Sequence, residues 1–131
     1  MRPINLPDLS GLTLLVVEDD DDSLDLLRNV LNAYGAHVLE ARTGIGALAY
    51  VNTTPKIDVL LTDLSMPTMD GIELLCKIRA HPTRNSLPAI ALTGYYEKYA
   101  GTNTTGFDAL LKKPVDFDEL ARTIKALVRP R

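Results

Sequence analysis

The chain has no tryptophan, a single cysteine and few aromatic residues, which make up 5% of its 131 residues. The one cysteine, Cys76, cannot form an internal disulfide. It lies on an apolar helical pattern, which predicts a buried small hydrophobic side chain rather than a reactive thiol. The sequence therefore excludes a fold held together by internal disulfides, and we do not expect redox chemistry.

Long hydrophobic runs are also missing. No apolar run approaches the roughly 20 residues that a membrane helix needs, and no basic-then-apolar signal peptide opens the chain. We therefore expect a cytoplasmic protein that does not contact a membrane. The net charge of −3 argues against direct binding of nucleic acid. Basic residues near the end of the chain are interpreted as a solvated helix face: Arg122, Lys125, Arg129 and Arg131.

The apolar residues, 46% of the chain, are arranged in alternating strand-like and helix-like patterns. Strands are predicted at 12–17, 37–41, 57–63, 89–92 and 108–111. Helices are predicted at about 22–34, from 45 to before Pro55, at about 71–79 and at about 116–128. Most strands are apolar on both faces, which indicates a doubly wound α/β fold with a parallel sheet covered by helices on each side. We assign residues 1–11 to a lead-in or linker, 12–128 to one domain and 129–131 to a tail.

Polar side chains follow four of the predicted strands where each strand ends. Glu18 and Asp19 end the first strand, Asp63 the third, Thr93 the fourth and Lys113 the fifth. Carboxyl ends of parallel strands meet at one edge of the sheet, so these groups should converge. Carboxylates that converge either share protons or hold a hard cation, and oxygen ligands suit Mg²⁺. Such an ion attracts a phosphoryl group. Lys113 can pair with a phosphoryl oxygen, Thr93 can donate a hydrogen bond to another, and Asp63 can act as the nucleophile.

Several other polar residues have structural interpretations. Asp20–Asp22 are interpreted as a helix-start cluster, and Asp70 as part of a turn that opens the third helix. His37 and His81 have no acidic or nucleophilic neighbours in sequence, and surface or strand-filling positions are expected for them.

Four motifs together resemble the response-regulator receiver domain of two-component signalling. They are Val-Val-Glu-Asp at 16–19, Asp-Leu-Ser-Met-Pro-Thr-Met-Asp-Gly at 63–71, Leu-Thr-Gly at 92–94 and Lys-Lys-Pro at 112–114. The resemblance covers residues 12–128. It implies a flavodoxin-like fold with five parallel strands in the order 2-1-3-4-5.

The resemblance also implies a role for each site residue. Asp63 would accept a phosphoryl group from a histidine kinase or a histidine phosphotransfer protein, with Mg²⁺ or Mn²⁺ as cofactor. The implied metal site is formed by Asp19, which would bind the ion directly, by Asp63 and the backbone carbonyl of Ser65, and by Glu18, which would be closer to a water-mediated role. The implied phosphoryl-binding groups are Thr93, Lys113 and the backbone amides of Leu64 and Gly94. The peptide bond before Pro114 would be cis.

The chain departs from the family pattern at its switch position. Thr93 would be one switch residue, but Leu110 stands where the family usually has an aromatic side chain. The segment from Gly94 to Gly106 is rich in glycine and threonine, which are poor helix formers. We therefore expect this segment, rather than a moving aromatic ring, to become ordered on activation and to carry the signal to a downstream protein.

Two other functions remain as alternatives. A receiver-like interaction scaffold that is never phosphorylated would be expected to lose an acid, the threonine or the lysine, and none is lost. A Mg²⁺-dependent aspartyl-phosphate phosphohydrolase would need a second aspartate two residues after the nucleophile, where this chain has Ser65. We therefore expect a signalling module rather than an enzyme. It could be a stand-alone regulator or the receiver of a hybrid histidine kinase. Residues 6–13 resemble the segment that leads into the receiver of such kinases.

Overall fold

The computed structural model describes residues 7–95 and 106–128. Five parallel strands form one sheet in the order β2-β1-β3-β4-β5. The strands are β1 Thr13–Val17, β2 His37–Ala41, β3 Val59–Asp63, β4 Ala89–Thr93 and β5 Ala109–Lys112. The helices in the described ranges are α1 Asp21–Ala33, α2 Gly44–Thr53, α3 Gly71–Arg79 and α4 Phe117–Val128. The predicted doubly wound fold and strand order are confirmed.

The hydrophobic core lies on both faces of the sheet. One apolar cluster contains buried side chains of α1 and α4, and the other contains buried side chains of α2 and α3. Every residue of β3 and β4 is buried, as are four of the five in β1, whereas β2 and β5 are largely half-exposed. Central strands covered on both faces explain the near-continuous apolar runs in the sequence.

Polar side chains cap the helices close to the carboxyl ends of the strands. Asp20 accepts a hydrogen bond from the Ser23 amide at 2.9 Å, and Asp70 accepts one from the Glu73 amide at 2.8 Å. These contacts satisfy backbone donors that have no partner within the helix. They confirm that Asp20 and Asp70 start helices. Among the helices that the structure describes, none is long and apolar enough to cross a bilayer.

Cys76 is exposed, so the prediction that it is buried is wrong. The buried residues of α3 are Gly71, Leu74, Leu75 and Ile78. This three- and four-residue spacing defines one face, and Cys76, one residue after Leu75, is turned about 100° away from it. The helix was located correctly, but the side of the helix that faces the core was assigned wrongly.

The segment before residue 12 packs against the core. Leu9 is fully buried and belongs to the core cluster of α1 and α4. Its amide donates to the Tyr34 carbonyl at 2.9 Å, and the Lys125 ammonium donates to the Asp8 carbonyl at 3.1 Å. The lead-in therefore packs across the ends of two helices, and we propose that it is part of the folded domain.

The burial of Leu9 predicts a large loss of stability on truncation. Leu9→Ala should lower the free energy of unfolding by about 2–5 kcal/mol, because it removes buried methyl groups and leaves a cavity. Leu26→Ala is the matched control, since Leu26 is 53% exposed and its loss should change stability by no more than about 0.5 kcal/mol. Urea unfolding measures both. Equal effects of the two substitutions would mean that the segment around Leu9 is only a linker.

Candidate functional site

The predicted site residues meet at the carboxyl edge of the sheet. Asp63 and Thr93 are the last residues of β3 and β4, Glu18 follows β1 directly, and Lys113 follows β5 directly. The parallel register β1–β3–β4–β5 places these four strand ends side by side. Ligands of open α/β sheets bind at this edge, because the loops that leave the strands there open a crevice.

Three carboxylates form a cluster that could hold a metal ion. Oxygen atoms of Glu18, Asp19 and Asp63 all lie within 4.8 Å of one another. Glu18 and Asp63 are only 1% and 7% exposed, whereas Asp19 is exposed. Like charges so close together in a partly desolvated site repel strongly unless a cation or a proton compensates them.

Lys113 provides positive charge to this cluster. Its Nζ lies 2.8 Å from Glu18 Oε2 and 3.1 Å from Asp63 Oδ2. Burial alone would lower the pKa of the ammonium group, but the hydrogen bond to Glu18 and the charges of Asp63 and Glu18 outweigh burial and raise it. The backbone amide of Lys113 donates to the Thr93 carbonyl at 2.8 Å, and the bond to Pro114 is cis, as the resemblance implied. The lysine is thus held at the end of the sheet as a cation.

Glu18 links the lysine to the turn that carries Asp19. Its Oε1 accepts the Asp20 amide at 3.2 Å while its Oε2 contacts Lys113. Burial raises the pKa of the Glu18 carboxyl, and the charge of Asp63 raises it further, although the hydrogen bond from Lys113 opposes the shift. The ionised form of Glu18 is therefore held at a cost.

Thr93 and Gly94 border the crevice on the β4 side. Thr93 is buried, and its hydroxyl oxygen accepts the Tyr95 amide at 2.9 Å. A hydroxyl that accepts one hydrogen bond still has its own proton to donate. Gly94 is exposed, and a Cβ added there would meet none of the described residues within 4 Å. Within the described part of the chain, Gly94 therefore leaves open space next to Thr93.

The Leu64 amide does not face the crevice, in contrast to the role that the resemblance implied for it. This N–H donates to the Leu92 carbonyl at 3.1 Å, which extends the β3–β4 ladder one residue beyond Asp63. The next amide, that of Ser65, lies 3.4 Å from Asp63 Oδ1. The Ser65 amide, rather than that of Leu64, therefore lies beside the Asp63 carboxylate. The sequence could not show this, because it depends on the register between two strands.

Gly71 has a role in the site that the sequence did not reveal beyond its place in a turn. A Cβ at this position would lie 2.5 Å from the Asp63 carbonyl oxygen and 3.1 Å from the Leu64 Cα. The start of α3 thus packs directly against the backbone of Asp63, and only glycine leaves room for this approach. The Asp-Gly pair was the available signal.

The other expectations have mixed outcomes. His37 is exposed, and His81 accepts amide hydrogen bonds from Thr83 and Arg84 at 3.1 and 3.2 Å, so both have structural positions. Leu110 is half-buried on β5. Most of the segment from Gly94 to Gly106, for which we expected ordering on activation, lies outside the described residues.

An open apolar cleft of about 450 Å³ adjoins the charged cluster. Its lining includes Glu18 and Lys113, three residues of α1, Leu92 of β4, and three residues between Pro114 and the first turn of α4. Leu26, which lines the cleft, is 53% exposed. An apolar surface therefore borders the charged site at Glu18 and Lys113.

Comparison with known proteins identifies the family. Residues 14–125 match the sequence pattern of the response regulator receiver domain. The chain belongs to this family. Receiver domains of two-component signalling take phosphate from histidine kinases and are generally signalling modules rather than enzymes.

Three relatives illustrate the similarity. An uncharacterised 14.6 kDa protein of Leptolyngbya boryana is 42% identical over 120 residues, which cover 89% of this chain and 90% of that protein. Sensor protein EvgS of Escherichia coli K12 is 36% identical over 96% of this chain, which spans 10% of EvgS. The crystal structure of response regulator TrrA of Thermotoga maritima, in complex with Mg²⁺–BeF, is 28% identical with a TM-score of 0.79 and covers 88% and 98% of the two chains. This receiver spans about half the length, or less, of several other curated relatives.

The raised pKa of Glu18 predicts a specific pH dependence. Between the unfolded value near 4.5 and the higher folded value, the folded protein keeps a proton that the unfolded chain has lost. The free energy of unfolding should therefore fall as pH rises through this window. Glu18→Gln has no such proton to lose. The free energy of unfolding of this variant, compared with that of wild type, should therefore rise as pH rises through the same window. Urea unfolding at a series of pH values, with chelator present, measures the difference.

The exposed Glu119, substituted as Glu119→Gln, serves as the control for this measurement. A difference between wild type and Glu18→Gln that does not change with pH would show that burial of Glu18 does not penalise its ionised form.

Proposed function

We propose that Asp63 accepts a phosphoryl group from a phosphohistidine of a histidine kinase or histidine phosphotransfer protein, in a reaction that depends on Mg²⁺. The observation that carries this proposal is the position of the Asp63 carboxylate. It lies at the end of a central strand, 3.1 Å from the Lys113 ammonium and within 4.8 Å of oxygen atoms of Glu18 and Asp19. This is the charge arrangement that an incoming phosphoryl group and a divalent cation would complete.

The donor set fits Mg²⁺ or Mn²⁺. All three acidic side chains offer hard oxygen ligands, and Lys113 offsets one of their three charges, so a divalent cation would balance the remainder. The backbone carbonyl of Ser65, two residues after Asp63, would complete the protein ligands. When bound, the ion would neutralise the carboxylates and polarise the phosphoryl oxygens. The Mg²⁺–BeF complex of TrrA supports such an ion in a related receiver.

The transfer itself requires little covalent chemistry from the protein. An oxygen of Asp63 forms a bond to phosphorus while the bond from phosphorus to the donor imidazole nitrogen breaks, and the electron pair stays on that nitrogen. Lys113 leaves one of its carboxylate partners and contacts a phosphoryl oxygen instead. The Thr93 hydroxyl donates a hydrogen bond to a second phosphoryl oxygen. The amides of Ser65 and Gly94 supply further donors. Positioning and neutralisation of charge account for most of the catalysis in such reactions.

The apolar cleft beside Lys113 supports a protein as the phosphoryl donor. A phosphohistidine on a partner surface could reach Asp63 if apolar side chains of that partner covered Leu26 and the rest of the cleft. We propose the cytoplasm as the location of this transfer. The charged residues argue against the alternative of a scaffold that is never phosphorylated, because the three acids and the lysine lie close together rather than dispersed. Signalling would follow from a conformational change that a downstream protein recognises.

Incubation with acetyl phosphate and Mg²⁺, followed by intact mass measurement, tests the proposal. Wild type should gain one phosphoryl group, and Asp63→Asn should gain none, because the nucleophilic oxygen is lost. Chelation of the metal should abolish labelling of wild type. Asp70→Asn is the matched control: asparagine also caps helices well, so this variant should be labelled like wild type.

Labelling of Asp63→Asn to the wild-type level would contradict the assignment of the phosphoacceptor. Failure of the folded wild-type protein to gain any phosphoryl group would contradict the proposed function as a whole.

A further inference from the structure

The loop between β3 and α3, residues 64–70, carries Ser65 next to the crevice. Backbone hydrogen bonds close the loop, because the Gly71 amide donates to the Leu64 carbonyl at 2.9 Å. The Leu64 amide is fixed to β4. Ser65 is exposed and is the first residue after this fixed point. Its carbonyl and amide positions therefore depend on how the remainder of the loop is held.

The far side of this loop is strained. Thr68 has a φ of 70°, in the left-handed region that β-branched residues avoid. The Met69 amide donates to the Pro67 carbonyl at 2.8 Å, so Thr68 is the central residue of a γ-turn. Backbone strain of this kind costs about 1–3 kcal/mol and persists only where the surrounding structure holds it.

Two buried methionines hold the loop from below. Met66 and Met69 are each 9% exposed and belong to the core cluster of α2 and α3. Met69 lies against Gly44, the first residue of α2. A Cβ added to Gly44 would lie 2.6 Å from Met69 Sδ and 2.9 Å from its Cγ. Gly44 has no positive φ, so the close approach of Met69, rather than backbone conformation, requires glycine there.

We infer that Gly44 and Met69 are positioning residues for the phosphoacceptor site. Met69 packed on Gly44 holds the strained turn at Thr68, and the held turn keeps the Ser65 backbone in place for the ion and the phosphoryl group. The inference rests on the proposed role of Ser65 in binding both. Neither Gly44 nor Met69 touches the reacting atoms. The contact also couples the start of α2 to the site, because a displacement of this helix would move Met69.

Gly44→Ala tests the inference, with Gly46→Ala as the matched control on the same helix turn. A Cβ at Gly46 would meet the Thr43 hydroxyl at 3.2 Å and the Ala41 Cβ at 3.7 Å, and no loop residue. Titration calorimetry at a temperature where each variant is folded measures Mg²⁺ binding. Gly44→Ala should raise the dissociation constant by about tenfold or more, as substitutions behind metal ligands typically do. Gly46→Ala should bind as wild type does.

A second measurement needs no metal. In the metal-free protein, the NMR amide resonance of Ser65 should shift in Gly44→Ala and stay at its wild-type position in Gly46→Ala. A merely structural role for Gly44 would lower the melting temperature without moving this resonance or the Mg²⁺ dissociation constant. Such a result would overturn the inference.

Met69→Ala provides an independent variant, which decides the matter if Gly44→Ala does not fold. It removes the side chain that holds the turn and should weaken Mg²⁺ binding in the same way. In this background, Gly44→Ala should have a smaller additional effect, because Sδ and Cγ are gone. Wild-type Mg²⁺ affinity in Met69→Ala would overturn the inference. Failure of wild type itself to bind Mg²⁺ would instead contradict the proposed function.

Discussion

The repulsion among three carboxylates at one edge of the sheet is the constraint on which the site depends. Glu18, Asp19 and Asp63 approach within 4.8 Å, and the Lys113 ammonium contacts two of them. At an effective dielectric constant of about 20, two like charges at such a distance repel by about 3 kcal/mol. This is a substantial part of the 5–15 kcal/mol that stabilises a typical domain. Charge concentrated at such a cost is typical of a functional site rather than of a structural one.

The rest of the fold keeps these charges from moving apart. β3 and β4 are buried along their whole length, so Asp63 and Thr93 are held by strands that pack on both faces. The amide of Lys113 is tied to the carbonyl of Thr93, and Gly71 lets α3 press against the backbone of Asp63. Rigid placement of this kind allows a site to act by electrostatic preorganisation. Separation of the ends of β3 and β4 would require disruption of the core.

The sequence predicted the fold and the convergence of the strand-end side chains because both depend on local patterns. Apolar runs that end in Glu18, Asp63 or Lys113 show where each strand lies. They also show which edge of the sheet carries the polar residue, since the carboxyl ends of parallel strands meet at one edge. What it missed depends on contacts between distant segments. The Leu64 amide pairs with β4, which leaves the Ser65 amide beside Asp63, because of the register between β3 and β4. The burial of Leu9 follows from its packing with α1 and α4.

The close approach of Met69 to Gly44 is of the same kind, because it joins α2 to a loop 25 residues away in sequence. Exposure of Cys76 is different. The helix was predicted correctly, but a short helix with several apolar residues does not specify which of them face the core, and packing against the sheet decides the phase.

The most direct test of this account is a crystal structure of the protein with Mg²⁺ and beryllofluoride. We expect the ion to contact Asp19, Asp63 and the Ser65 carbonyl, with the fluoride adduct on Asp63. Lys113 should have left at least one of its carboxylate partners for a fluorine atom. An ion bound away from these carboxylates, or an adduct on another residue with Lys113 still bridging Glu18 and Asp63, would contradict it.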